Sequence, residues 1–288
     1  MEGNAGIELD PSFRYLVVLT FWPMSKIFIT AALLIPSLFS QSMASLSLEQ
    51  KEAFLKEAKI KITHNAKKGV TGTQRATLTD GTITHDASIQ NIDENKAKFE
   101  GATGVEYNFQ DSYKLNIAAY RLAVLLGLDS MVPVSVERTY DGKAASYTWW
   151  IENVQMDEAD RIKKKIDAPD KDSWSRQYLI MKVFDQLVYN MDRNMTNILY
   201  DKDWHLWMID HSRAFRLHKK VLSEKALEKI DGELLARMKQ LKEEDVKKQT
   251  GKWLTNSQIK ALMARNKMII AHFEAAGPSK VYKYLSAR

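Results

Sequence analysis

An aspartate, an asparagine five residues on and a second aspartate thirteen residues further stand out in this 288-residue chain. They are Asp192, Asn197 and Asp210, in the runs Asn190-Met191-Asp192-Arg193-Asn194-Met195-Thr196-Asn197-Ile198-Leu199 and Met208-Ile209-Asp210-His211-Ser212-Arg213-Ala214-Phe215. Moving a phosphoryl group from a nucleoside triphosphate to a hydroxyl needs such groups. One carboxylate sits near the acceptor, and two oxygen ligands hold Mg²⁺ against the phosphates. Short strands are expected at 197–200 and 206–209, around a turn at Asp201-Lys202-Asp203. A hairpin brings its two ends together, so Asn197 and Asp210 can share one metal ion.

Other elements must position these groups. A helix over 173–190 leads into the Asp192 loop, with Leu179, Val183 and Leu187 spaced for burial. Upstream, Ser47-Leu48-Glu49-Gln50 reads as a capping box opening a helix to about Lys59. Strands are expected at 74–78 and 83–92 around Asp80-Gly81, and at 132–138 and 144–152 through Tyr140-Asp141-Gly142-Lys143. Between these pairs lies a helix over 112–126, with Leu115, Ala118, Leu122 and Leu125 on one face and Gly127 suited to its C-cap. The stretch 91–110 offers no clear landmark. Residues 156–172 read as a charged linker with a short helix, and 222–276 as helical with breaks near Gly232, Gly251 and Thr255. The pattern is α+β, a small strand-rich layer followed by a mostly helical part.

Composition excludes several alternatives. With 45% hydrophobic residues and seven Trp the chain can bury a sizeable core. It has no cysteine, hence no disulfides and no thiolate chemistry. The net charge is +6, but basic residues interleave with acidic ones, as from Leu241 to Lys248, and no nucleic-acid-binding motif accompanies them. His205, His211 and His218 lack a zinc spacing, and no Gly-x-Ser-x-Gly elbow is present.

The N-terminus reads as an export signal. Met24-Ser25-Lys26 forms a basic n-region, 27–39 an apolar stretch, and Ser42-Met43-Ala44 a small-residue cleavage site. The expectation is a signal peptide over 1–44 with its true start at Met24, and an exported protein, periplasmic or secreted. The alternative is an uncleaved anchor over 15–39, which would be the only tie to a membrane.

The run Asp-Arg-Asn-x-x-Asn-Ile-Leu followed by Ile-Asp-His-x-x-Ala-Phe resembles the catalytic and metal-binding motifs of atypical kinases. The similarity is to phosphatidylinositol 3- and 4-kinases, above all type II 4-kinases, with HipA-like and secretory-pathway kinases as wider relatives. Gly69-Val70-Thr71-Gly72-Thr73, Gly81 and Ala87-Ser88-Ile89-Gln90 follow the type II pattern upstream, so the resemblance covers about 150 residues. It implies a two-lobed protein-kinase-like fold, with a small antiparallel-sheet N-lobe over 45–153 and a mostly helical C-lobe with a helical tail over 154–288. By the same resemblance, Asp192 is the catalytic base with Arg193 beside it, and Asn197 and Asp210 are the metal ligands. His211 supports Asp210, while Gly69, Thr71, Gly72 and Thr73 form the phosphate loop. Trp149 to Asn153 is the hinge, where Ile151 and Asn153 meet the adenine. ATP and Mg²⁺ are the implied cofactors, and the acceptor is a hydroxyl on an unidentified protein, lipid or small molecule.

One departure bears on activity. The strand lysine that pairs with the phosphates in such kinases falls at Gln90, and its glutamate partner at Asn116. An active enzyme would recruit another cation, for which Lys96, Lys98, Lys114 and Arg75 are nearby. The alternative is a catalytically silent pseudokinase that serves as a binding or scaffold module.

Overall fold

In the computed structural model, residues 46–65, 73–101 and 104–285 are described. The expected signal segment therefore lies outside the described residues, as do Gly69, Thr71 and Gly72. Among the described residues no helix is long and apolar enough to cross a membrane.

The first half is built from α1 (Leu48–Glu57), β1 (Lys59–Asn65), β2 (Gln74–Thr79), β3 (Thr84–Gln90), β4 (Asp93–Gly101), β5 (Gly104–Ser112), α2 (Tyr113–Leu126), β6 (Ser135–Tyr140) and β7 (Lys143–Trp149). The capping box opens α1 as expected: Gln50 N donates to Ser47 Oγ (3.2 Å), and Ser47 N donates to Gln50 Oε1 (2.8 Å). Five strands form an antiparallel sheet in the order β1-β2-β3-β7-β6. Alternation sends Ala76, Leu78, Ala87 and Ile89 into the core. The β6–β7 turn places Asp141 and Gly142 at φ of 48° and 73°, the positive pair that a tight two-residue hairpin requires.

Helix α2 buries more than one stripe. Leu115, Ile117, Ala118, Tyr120, Leu122 and Leu126 are all fully enclosed, whereas Leu125 is only half-buried. Gly127 ends it at φ 68°, and a Cβ there would come within 2.8 Å of the Arg237 guanidinium carbon. Glu52 ties α1 to α2 by two 2.8 Å bonds from Arg121 and one of 2.8 Å from the Tyr120 hydroxyl.

The unmarked stretch 91–110 forms most of the β4–β5 hairpin, a separate two-stranded sheet. Phe99 and Phe109 stack across it with centroids 4.2 Å apart. Ser112 N donates to Ser212 O (2.9 Å), pinning the end of β5 beside the loop after Asp210.

The second half begins with β8 (Val154–Asp157), α3 (Glu158–Lys164), α4 (Lys171–Val188), β9 (Ile198–Asp201) and β10 (Leu206–Met208). It continues with β11 (Ile230–Asp231), α5 (Gly232–Gln240), α6 (Glu243–Thr250), α7 (Asn256–Ala276) and β12 (Val281–Tyr282). In α4 the buried face is Ile180, Val183, Phe184 and Leu187; Leu179 is rotated to its half-buried margin. Strands β8, β9 and β10 form a small antiparallel sheet. Buried Gln177 on α4 anchors it, accepting from Leu206 N (2.9 Å) and donating to Trp204 O (3.1 Å).

Candidate nucleotide and metal site

The loop after α4 is shaped by its own polar side chains. Asn190 Oδ1 accepts from Asp192 N at 3.1 Å, and Asn197 Nδ2 donates to Asp192 O at 3.3 Å. A single 3-10 turn at Met195–Asn197 then delivers Asn197 to the start of β9, capped by Asn194 Oδ1 on Thr196 N (2.9 Å). Ile209 N donates to Asn197 O (3.1 Å), so the β9–β10 hairpin sets Asp210 beside Asn197. Asp210 itself sits at φ 53°, a left-handed conformation that a non-glycine residue adopts only when its surroundings impose it.

Those surroundings include Asn116. Its Oδ1 accepts from His211 N (2.6 Å), and its Nδ2 donates to Gln90 Oε1 (2.5 Å). The two amides at the positions expected to carry the ion pair are thus bonded to each other, and one of them also holds the backbone next to Asp210. Helix α2 and strand β3 are linked through this pair to the β10 loop without any buried charge.

A cavity of about 480 Å³ opens between these elements. Its lining includes Thr73, Gln90, Asn116, Ile151, Asp192, Asn197, Asp210 and His211. Val132, Trp150, Leu199 and Met208 give it an apolar end suited to a flat base. Asn153 falls elsewhere: it is exposed, outside the lining, with φ 57° where the chain turns into β8. The backbone of the expected hinge is held instead by His85, a residue on β3. His85 is 3% exposed, stacks on Trp149 at 3.8 Å, and its Nε2 donates to Trp150 O at 3.0 Å.

Arg193 is not in the lining, although it adjoins Asp192. Its guanidinium makes a two-pronged bond to Asp185 (2.9 and 3.0 Å), and Nη1 donates to Asn197 O (3.0 Å) and Ile209 O (2.7 Å). Nη2 donates to His211 Nε2 at 2.9 Å. One buried cation therefore holds the Asn197 end, the Asp210 end and His211 together; Arg193 is a positioning residue. Burial, followed by the Arg193 charge, keeps the His211 pKa well below the usual histidine range. The ring is neutral, with Nε2 accepting and the proton on Nδ1.

Asp192 is partly exposed at the cavity. Burial and the Asp210 charge push its pKa up, against the pull of Arg213, whose Nη1 lies 3.7 Å from Asp192 Oδ2. A raised carboxylate pKa suits proton abstraction near neutral pH. Asn197 and Asp210 offer hard oxygen donors, a set that fits Mg²⁺, which takes one or two carboxylates and completes its shell with phosphate and water oxygens. Among the described residues, no three His, Asp or Glu side chains cluster closely enough to hold a metal ion by themselves.

No lysine or arginine lines the cavity among the described residues, while Asp157, Asp192 and Asp210 do. The four cations expected to substitute are engaged elsewhere. Lys114 pairs with Asp93 (2.6 Å), Lys96 with Glu94 (2.6 Å) and Lys98 with Glu100 (2.5 Å), while Arg75 donates to Asp86 (2.6 Å).

No protein-family model matches the sequence, and no curated protein does. Solved structures match the fold. A hydra Fam20 structure with sugar superposes with a TM-score of 0.62 at 15% identity, over 84% of this chain and 93% of that one. The Golgi casein kinase with Mn and ADP bound superposes at 0.56 and 12% identity, over 82% of this chain and 78% of that one. The chain has a two-lobed, kinase-like α+β fold, with an antiparallel sheet in one lobe and mostly helices in the other.

Proposed function

We propose that the protein is an ATP- and Mg²⁺-dependent phosphotransferase of the atypical-kinase type, acting on a hydroxyl of a protein, lipid or small molecule. The observation that carries this reading is the convergence of Asp192, Asn197 and Asp210 on one cavity with an apolar end. The nucleotide and divalent ion in the Golgi casein kinase structure support it by analogy of fold. In this reading Asp210 and Asn197 hold the metal, Trp150 and Ile151 border the base, and the apolar walls exclude water. A metal bound there would neutralise phosphate charge. Asp192 takes the proton of the acceptor hydroxyl as its oxygen bonds to the terminal phosphorus and the bond to the departing diphosphate breaks. The apolar stretch over 27–39 favours an exported protein.

The Gln90–Asn116 pair favours a second reading, a silent pseudokinase that binds partners. The two readings divide on how much positive charge the cavity needs. A lining that carries carboxylates and no described cation repels a bare polyphosphate, so the metal must accompany the nucleotide. Calorimetric titration with ATP should show binding in Mg²⁺ and at least about a hundredfold weaker binding in EDTA. Gln90→Lys, which adds a charge without a carboxylate partner, should recover about tenfold of affinity in EDTA. Equal affinity with and without Mg²⁺ would overturn the metal assignment. No binding in either condition would favour the scaffold.

A further inference from the structure

A second cavity, of about 730 Å³, lies under the β4–β5 hairpin and is bordered by Met191, the residue before Asp192. Its walls differ in charge from those of the nucleotide cavity. Among the described residues Arg216, Lys96 and His218 line it, with Glu106 as the one acidic lining side chain; the exposed pair of Lys96 with Glu94 (2.6 Å) is one that an entering anion competes with. Glu106 accepts from Arg216 Nη2 through one oxygen and from Arg213 Nη2 through the other. Arg213 also faces Asp192 and Asp111, so three carboxylates share its charge. Arg216 donates Nη1 to Asn108 O (2.7 Å) and shares half of one carboxylate through Nη2, with Asp111 further off.

Arg216 is 5% exposed, and its Nε is buried without a hydrogen-bond partner, as is the Nε of Arg213. A buried guanidinium donor with nothing to donate to is costly, and more so because it carries charge. Water or an anion entering the cavity would relieve that cost. The mouth of the cavity is apolar, with Tyr107 72% and Leu217 56% exposed.

We infer that this second cavity is an oxyanion site: it holds a phosphate group through Arg216 and Lys96, beside the loop that carries Asp192. Building on the proposed transfer activity, the phosphate belongs to the acceptor, a phosphate ester whose free hydroxyl reaches Asp192. The ion-paired arginines clamp the hairpin over this site, and Glu106 competes with the incoming anion for them.

Binding of inorganic phosphate and of glycerol 3-phosphate to the full chain, titrated calorimetrically in EDTA, tests the inference. Without metal the carboxylate-lined nucleotide cavity repels both probes, so a response reports the second cavity. Both probes should bind at millimolar concentration, with glycerol 3-phosphate at least as tight. Lys96→Ala, a change at an exposed side chain, should weaken both by about threefold. Glu106→Gln should tighten both by about tenfold, because it removes the competing carboxylate. Should Glu106→Gln fail to fold, Lys96→Ala still decides, since it alters no buried pair. Phosphate binding with the ester clearly weaker than free phosphate would confine the site to a free anion and overturn the acceptor assignment. No phosphate binding, or binding indifferent to Lys96→Ala, would overturn the site and leave the arginines as a structural clasp. Because neither probe needs transfer, failure of the phosphotransferase reading shows separately, as an absence of ATP turnover.

Discussion

Asp192→Ala should lower transfer at least about 10²–10⁴-fold while leaving Mg-ATP affinity within about threefold of the parent. In the proposed site Asp192 lines the cavity with Asn197 and Asp210 without its carboxylate serving as a metal ligand. Its backbone oxygen, not its side chain, accepts from Asn197 Nδ2, so alanine keeps the loop geometry. Stability should not suffer either. Burial and Asp210 raise the Asp192 pKa above its unfolded value, so its favourable contribution is present at acid pH and lost as pH rises through the folded value. Near neutral pH the ionised carboxylate opposes folding, and alanine removes that opposition. Transfer of labelled phosphate from ATP, read beside calorimetric nucleotide binding, separates the effects. Unchanged turnover would remove Asp192 from the role of base.

Arg193→Met should destabilise the fold by about 3–5 kcal/mol, a large part of the stability of an ordinary domain. The substitution keeps an apolar stem but deletes the two-pronged bond to Asp185, whose side chain is 8% exposed. It also strands Ile209 O and takes from Asn197 O one of its two donors, leaving it only Ile209 N. Asn190 Nδ2, 3.2 Å from Asp185 Oδ1, is a neutral donor and answers little of the carboxylate charge. In urea unfolding the midpoint should fall by more than about 1 M. The double variant Asp185→Asn with Arg193→Met should lose less than the two single changes added, since it leaves no unpaired buried charge. A loss below about 1 kcal/mol would mean that the pair is solvated and does not organise the loop.

The parts of the fold legible in the sequence were those governed by local rules. The Ser47–Gln50 capping box, turn glycines and the spacing of Leu115, Ala118 and Leu122 depend on neighbours a few residues away. The convergence of Asn197 and Asp210 follows from hairpin geometry, and the two amides Gln90 and Asn116 are bonded to each other. What escaped depends on distant partners. The β4–β5 hairpin is mostly exposed, so it lacks the apolar alternation that marks a strand. Its attachment runs through Glu106 to Arg213 and Arg216, more than a hundred residues away. Arg193 was named beside Asp192, but its burial, like that of His85, was hidden for a similar reason. Charged and titratable residues usually lie at the surface, and burial of these two rests on Asp185 and on the Trp149–Trp150 turn.

Thermal unfolding with and without saturating Mg-ATP, on the parent and on Asp210→Ala, tests the nucleotide site most directly. Ligand at a hundred times its dissociation constant adds about 2.7 kcal/mol, or about 5–10 °C for a domain of this size. The parent should show that rise only when Mg²⁺ is present, and Asp210→Ala should not show it. An equal rise in the variant would contradict the assignment of Asp210, and with it the site proposed here.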